Sequence, residues 1–163
     1  MALHEVTSCS LETKIGRAIK YTAALHRKDG VAEEAFMHWF TNQFLPRAVP
    51  IMKKHNILKY AVQKTDPKIS STFQAEVHQV SPSWKVNDCD LLLEYWVYDL
   101  EDIKNLASDP EWIQTALGDG NDWLDTSKST ICIGYDTTYV EYGAVVNVAG
   151  RRRRRSRVSA SFD

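Results

Sequence analysis

Five histidines, His4, His26, His38, His55 and His78, are the side chains of this chain best suited to moving protons near neutral pH. They lie far apart, and no cluster of His, Cys and carboxylate has the spacing of a zinc site. The phosphate-cradling pattern GxGxxG, the P-loop and GxSxG are all absent, so no cofactor is expected. What remains is chemistry done by side chains alone, or plain binding. His78, in the run FQAEVHQV, alternates with Gln74 and Glu76 against Phe73, Ala75 and Val77, and is the first candidate acid or base. The competing reading is a rim histidine on a solvated face. His26 shares a strand face with Lys20 and Thr22. Turned inward, Lys20 and His26 form a site; turned outward, they are surface groups. Glu94 stands beside Leu92, Trp96 and Tyr98 on the most apolar strand. A carboxylate among such neighbours pairs with a cation or has its pKa raised by desolvation. Lys20 or His26 is the partner to expect, and a strand-end glutamate at an interface between two copies is the plainer alternative.

Tyr60 and Tyr135 are strand tyrosines placed to donate to a substrate carbonyl, or to pack with their hydroxyls satisfied. His38 lies off the aromatic stripe of its helix, and His55, beside Lys53, Lys54 and Asn56, suits a helix C-terminus. The stripe itself is Phe36, Phe40 and Phe44, spaced by four, with Trp39 beside them. Such rings form a core under a helix. From Trp39 to Phe44 they also suit the wall of a cleft for a flat apolar ligand, which takes aromatic walls and a few polar anchors. Trp96 is the corresponding ring on the sheet. Both uses are compatible along one helix.

The elements that must position these residues read as follows. AIKYTAALHR alternates as a half-buried strand, and Arg27-Lys28-Asp29-Gly30 turns with Gly30 at positive φ. VAEEAFMHWFTNQFL follows the helical period to about Leu45, where Pro46 and Pro50 interrupt it, leaving a short second helix through IMKKHN. ILKYAVQKT is a second strand. Residues 66–87 are Ser-rich and irregular, with one short strand at FQAEVHQV, and their length suggests a lid or rim. DLLLEYWVY is a third strand, and DLEDIKNLASDPEWIQTAL a second long helix with Asp99 as N-cap. GDGNDW is a turn and STICIGYDTTYVEY a fourth strand. The order β-α-β-β-α-β is the ferredoxin-like α+β arrangement, an antiparallel sheet with two helices on one face. The bare sheet face must be covered, and a second copy of the chain is the simplest cover, giving a homodimer in which two sheets close into a barrel.

Composition bounds the rest. A chain of 163 residues is one domain with tails, and it buries roughly 70% of its extended-chain surface without needing metals or disulfides. Residues 1–16 read as an N-terminal extension, 17–146 as the domain and 147–163 as an Arg-rich tail. No apolar run is long enough to span a membrane, and MALHEVTSCS lacks the features of a secretory signal. With Cys9, Cys89 and Cys132 unpaired by spacing, this points to reduced thiols and a cytoplasmic protein. The net charge of −1 conceals an asymmetry. Without residues 151–163, 14 basic side chains face 20 acidic ones, a body charge of −6. A body that acidic repels phosphate backbones, so nucleic acid is not expected as the folded domain's partner. The tail RRRRRSR reads as solvated chain, with an acidic surface or a nuclear address as its alternative role.

With this order of elements, the chain resembles the EthD-type branch of the dimeric α+β barrel superfamily over roughly residues 17–142. The residues that carry the resemblance are the strand followed by HRKDG, EEAF with Phe40 one turn later and FLP closing the helix. To these is added DCDLLLEYWVYDLEDIKNLASDPEW, a strand running into a helix that ends in DPEW. Family members in fungal polyketide pathways are cofactor-free decarboxylases, dehydratases or cyclases. The resemblance therefore implies a hydrophobic cleft in each subunit for a fused-ring phenolic intermediate, and a lyase with decarboxylation first and dehydration or cyclisation close behind. The alternatives are a cofactor-free monooxygenase on a similar phenol and a non-catalytic binding protein. One position departs from the family pattern. The histidine usually found two residues before the proline after the first helix is Phe44 here, which suggests a substrate-shaping role for that ring.

Overall fold

The computed structural model describes residues 18–148. The expected N-terminal extension and Arg-rich tail lie largely outside the described residues. Strand β1 (Ile19–Leu25) leads through a turn at Gly30, φ 86°, into helix α1 (Glu33–Trp39). A π segment (Phe40–Phe44) follows, and then helix α2 (Leu45–Lys54). Strand β2 (Lys59–Lys64), helix α3 (Pro67–Val80), strand β3 (Leu91–Val97) and helix α4 (Leu100–Ser108) come next. A second π segment (Trp112–Ala116), the single-turn helix α5 (Gly120–Trp123) and strand β4 (Thr130–Tyr135) complete the domain. Two-residue strands β5 (Val140–Glu141) and β6 (Ala144–Val145) form a hairpin whose turn residues Tyr142 and Gly143 both have positive φ, the pairing that a type I′ turn requires.

The sheet is antiparallel in the order β2-β3-β1-β4, the ferredoxin-like arrangement with α3 as an added helix. Period-two alternation divides it cleanly. Tyr21, Ala23 and Leu25 of β1 and Leu91, Leu93 and Tyr95 of β3 face the helices and pack with Phe36, Trp39, Phe40, Phe44, Ile51, Leu106 and Trp112. Lys20, Thr22, Ala24, Leu92, Glu94 and Trp96 take the opposite face. That face mixes small, polar and charged side chains and is less apolar than the alternation suggested.

Two local expectations are corrected. Pro46 does not end the first helix. The π segment absorbs it: Leu45 N–H bonds to Phe40 C=O, five residues back, and Pro46 enters near the N-terminus of α2, where no N–H is needed. Residues 67–80 are neither irregular nor a strand. Asp66 caps the helix by accepting Lys68 N–H (2.8 Å) and Ile69 N–H (3.2 Å), and Pro67 stands in its first turn. The alternation seen in FQAEVHQV hides the helical spacing Ile69, Phe73, Val77 and Val80. No residue of α3 is buried. It is tied down by Gln74, which accepts Val86 N–H (2.6 Å) and donates to the Trp84 carbonyl (3.1 Å).

The DPEW run also has a structural explanation. Asp109, nearly buried, accepts hydrogen bonds from Lys54 (2.8 Å), His55 (2.6 Å) and the Glu111 N–H (2.7 Å). The Lys54 and His55 hydrogen bonds hold its carboxyl far below the usual carboxylate range. This knot ends α4, joins it to the C-terminus of α2 and starts the turn that delivers Trp112 to the core.

Candidate functional site

Between the helix-facing side of the sheet and the two π segments lies an apolar cavity of about 260 Å³. It falls just below the ~300 Å³ at which drug-sized ligand pockets begin, a size that suits one or two fused rings. Tyr21, Ala23, Leu25, Leu93 and Tyr95 form its floor, and Trp39, Phe40, Phe44 and Trp112 its roof. Thr126, Ser129, Thr130, Ile131 and Leu117 line its remaining side. All of these but the half-buried Ser129 are exposed, so this side is the mouth.

The π segments build the roof. Each widens its helix by one residue; the first turns Phe40 and Phe44 toward the sheet and the second Trp112. Phe40 and Phe44 stack at 5.2 Å between centroids, and Phe44 meets Trp112 edge-on at 5.9 Å. Trp39 stacks on Trp123 (5.3 Å, planes 10° apart) and donates its indole N–H to Asp119 (3.0 Å).

The floor carries a row of tyrosines. Register places Tyr21, Tyr95 and Tyr60 side by side on β1, β3 and β2. Tyr21 meets Tyr95 edge-on at 5.7 Å and Tyr60 lies 4.8 Å beyond Tyr95. Burial pushes all three phenols above their ordinary value, with Tyr95 further raised by its tyrosine neighbours. They therefore stay protonated, as donors, at any pH the protein meets. The Tyr60 hydroxyl is cut off from solvent and has no hydrogen-bond partner in proper geometry. A buried polar group in that state needs an explanation.

The residues singled out from sequence divide accordingly. Trp39, Phe40 and Phe44 line the cavity, and Tyr60 lies directly behind Tyr95. Tyr135 is exposed on β4. Trp96 takes the other sheet face. There it donates to Asp136 (3.1 Å) and has the ammonium groups of Lys20 and Lys59 over its ring at 4.9 and 4.3 Å. Glu94 is on that face too, ion-paired with Lys20. Burial lowers the Lys20 pKa, but the Glu94 hydrogen bond and the Asp136 and Glu94 charges outweigh it and leave the value raised. His26 is half-buried at the exit of β1, beside Lys28, Asp29, Asp88 and Lys128. His78 is exposed on α3, because the segment is a helix rather than a strand. The three candidate acid–base residues do not meet, and none lines the apolar cavity. Sequence reasoning passed over Tyr21, Tyr95, Trp112 and Asp119. Only Trp112 carried a signal, as the last residue of DPEW.

A larger cavity of about 360 Å³ lies between α1, α3 and residues 86–90. In its charged lining Arg27 pairs with Asp90 and Lys64 with Glu33, which leaves Asp88 as the carboxylate without an ion-pair partner among the described residues. Among the described residues no group of three or more His, Cys, Asp or Glu could hold a metal ion.

A ferredoxin-like sheet under helices, enclosing an aromatic cavity with hydroxyl groups on its floor, defines an α+β domain with an apolar pocket between its layers. The chain belongs to the EthD family: the EthD domain model matches residues 28–127. A dehydratase, iacD, of Pestalotiopsis fici is 57% identical over 132 residues, 81% of this chain and 95% of that protein. A putative oxygenase of Aspergillus terreus is 26% identical over 132 residues, covering 81% of this chain and 82% of that protein. A decarboxylase of Emericella nidulans is 26% identical over 138 residues, covering 82% and 86%.

Proposed function

We propose that the protein is a cofactor-independent lyase that removes water from a β-hydroxy ketone of an aromatic polyketide, yielding a phenol. The observation that carries this reading is the floor of the cavity, where two phenols held protonated by burial, Tyr21 and Tyr95, line a space walled by the rings of Trp39, Phe40, Phe44 and Trp112 and by leucine and isoleucine side chains. The substrate ring lies between the Phe40–Phe44 roof and the sheet. Tyr95 donates to the ketone oxygen, and the Tyr60 hydroxyl behind it, without a partner in the resting protein, turns to donate to the Tyr95 oxygen only as charge develops, sharpening the first bond. As the α-proton leaves, the carbonyl oxygen becomes an enolate that these donors stabilise in a water-poor site. The β-hydroxyl departs with a proton as water, and the ring gains aromaticity. The described wall holds no carboxylate or imidazole, so the α-proton passes to water at the mouth, where Thr126, Ser129 and Thr130 order it.

Dehydration takes precedence over decarboxylation because the relative at 57% identity is named a dehydratase, whereas the decarboxylase is 26% identical. The open sheet face, with Lys20, Glu94 and Trp96 at its centre, is assigned to a second copy of the chain, forming a homodimer with one cavity per subunit. A cytoplasmic setting is part of the same reading.

The test is substitution of Tyr95 by Phe, which keeps the ring and removes the donor. Binding of a naphthol should weaken modestly, while turnover of a hydroxytetralone falls about a hundredfold, the range measured for deleting an oxyanion donor. Unchanged turnover would remove Tyr95 from the reaction.

A further inference from the structure

One side chain ties the separate pieces of the cavity wall together without itself lining the cavity. Asp119 stands just before α5 and accepts three hydrogen bonds from two places on the helical layer. Trp39 Nε1 donates to Oδ2 at 3.0 Å, and Arg47 donates through Nη2 to Oδ1 and Oδ2 at 3.0 and 3.2 Å. Arg47 also donates from Nε to the carbonyl of Gln43 (2.8 Å), inside the π segment that presents Phe40 and Phe44. Residues 117–126, which include Asp119, supply Leu117, Leu124 and Thr126 to the cavity and stack Trp123 on Trp39.

The two halves of this segment are held differently. Its C-terminal half is joined to the exit of β1 by backbone bonds, Lys28 N–H to Trp123 C=O (2.8 Å) and Asp125 N–H to His26 C=O (2.9 Å). Its N-terminal half has Asp119 as its side-chain anchor to the helices. The turn there is tight: a Cβ on Gly118 would come within 2.3 Å of the Gln114 carbonyl oxygen. Trp39 is almost fully buried, and Asp119 is the acceptor its indole N–H has in the fold.

We propose that Asp119 is a positioning residue that sets the width of the cavity, and hence which fused-ring guest fits, by clamping Trp39 and residues 117–126 to each other. This rests on the reading of the apolar cavity as the substrate site. The essential feature is an acceptor for the indole N–H; the charge facing Arg47 is secondary, because both partners are about one-third exposed and such pairs contribute little.

The experiment compares the full chain with Asp119→Asn and Asp119→Ala by near-ultraviolet circular dichroism and by titration with 1-naphthol. The stacked Trp39–Trp123 pair gives a band that depends on their fixed geometry. Asp119→Ala should lose that band and weaken naphthol about tenfold, the factor expected from stranding one buried donor. Asp119→Asn retains a carboxamide oxygen for the indole, so the band should survive and affinity should stay within about threefold. A band and affinity unchanged in the alanine variant overturn the proposal, as does an asparagine variant as impaired as alanine. Asp119→Ser, polar but too short to reach the indole, repeats the test should the alanine variant not fold. Failure of the unmodified protein to bind naphthol would count against the cavity as the substrate site. The dichroism band would still decide whether Asp119 holds the indole.

Discussion

Replacing Tyr60 by Phe separates function from stability in this fold. The Tyr60 hydroxyl is out of reach of solvent and lacks a hydrogen-bond partner, although the Tyr95 ring lies only 4.8 Å away. Leaving such a group unsatisfied costs about 1–3 kcal/mol, and removing it without changing the ring recovers part of that. We expect Tyr60→Phe to gain about 1 kcal/mol, which for a domain of this size raises Tm by about 2–4 °C. The same hydroxyl backs up Tyr95 in the proposed reaction. Losing one neutral hydrogen bond of about 0.5–1.5 kcal/mol in the transition state slows turnover by about two- to tenfold. Thermal or urea unfolding, followed alongside turnover, reads both quantities from one preparation. A gain in stability with a loss of rate marks a polar group retained for function. Destabilisation would mean instead that the hydroxyl is satisfied in the folded protein and serves only the core.

Other outcomes follow from the same geometry. Tyr21, Tyr60 and Tyr95 have raised pKa values in the fold, so their contribution to stability is complete below the unfolded value of about 10 and is lost as pH rises beyond it toward the folded values. An absorbance titration should therefore show these three ionising late, together with unfolding. Asp109 behaves in the opposite sense. Its depressed folded pKa contributes stability above the unfolded carboxyl value of about 4, which is lost as pH falls through that region and below. Asp109→Asn should destabilise the protein at neutral pH and flatten the acid limb of its stability curve, measured by urea midpoints across pH. Phe44→His places an imidazole in the roof of the cavity. It should cost about 1–3 kcal/mol through lost burial and ring contacts. It should also give turnover a new dependence on pH near 6.5, seen in the kcat profile.

Much of the fold is legible in the sequence because alternation and helical spacing are local. The faces of β1 and β3, the turn at Gly30 and the Asp99 cap, which accepts Glu101 N–H at 2.9 Å, are all of this kind. Lys20 as the partner of Glu94 was also foreseeable, since both belong to one strand face and the strands are neighbours. Where two local patterns overlap, the signal fails. In α3, Phe73, Ala75 and Val77 alternate like a strand, while Asp66-Pro67 and the four-residue spacing of Ile69, Phe73 and Val77 mark a helix. The placement of His78 followed that choice. The π segments leave no periodic trace, because one inserted residue is invisible in a pattern broken by Pro46 soon afterwards. The tyrosine row is a matter of register. Tyr21, Tyr60 and Tyr95 lie on three strands far apart in the chain, and nothing near any of them announces the other two.

Dehydration of a polyketide-like ketone is read out by anaerobic incubation of the protein with a hydroxytetralone whose hydroxyl is β to its ketone, followed by mass and by phenol absorbance. Loss of one water and appearance of the naphthol are expected, without oxygen and without added cofactor. Substrate that binds but stays intact, or turnover that begins only when air is admitted, would contradict the proposed dehydration.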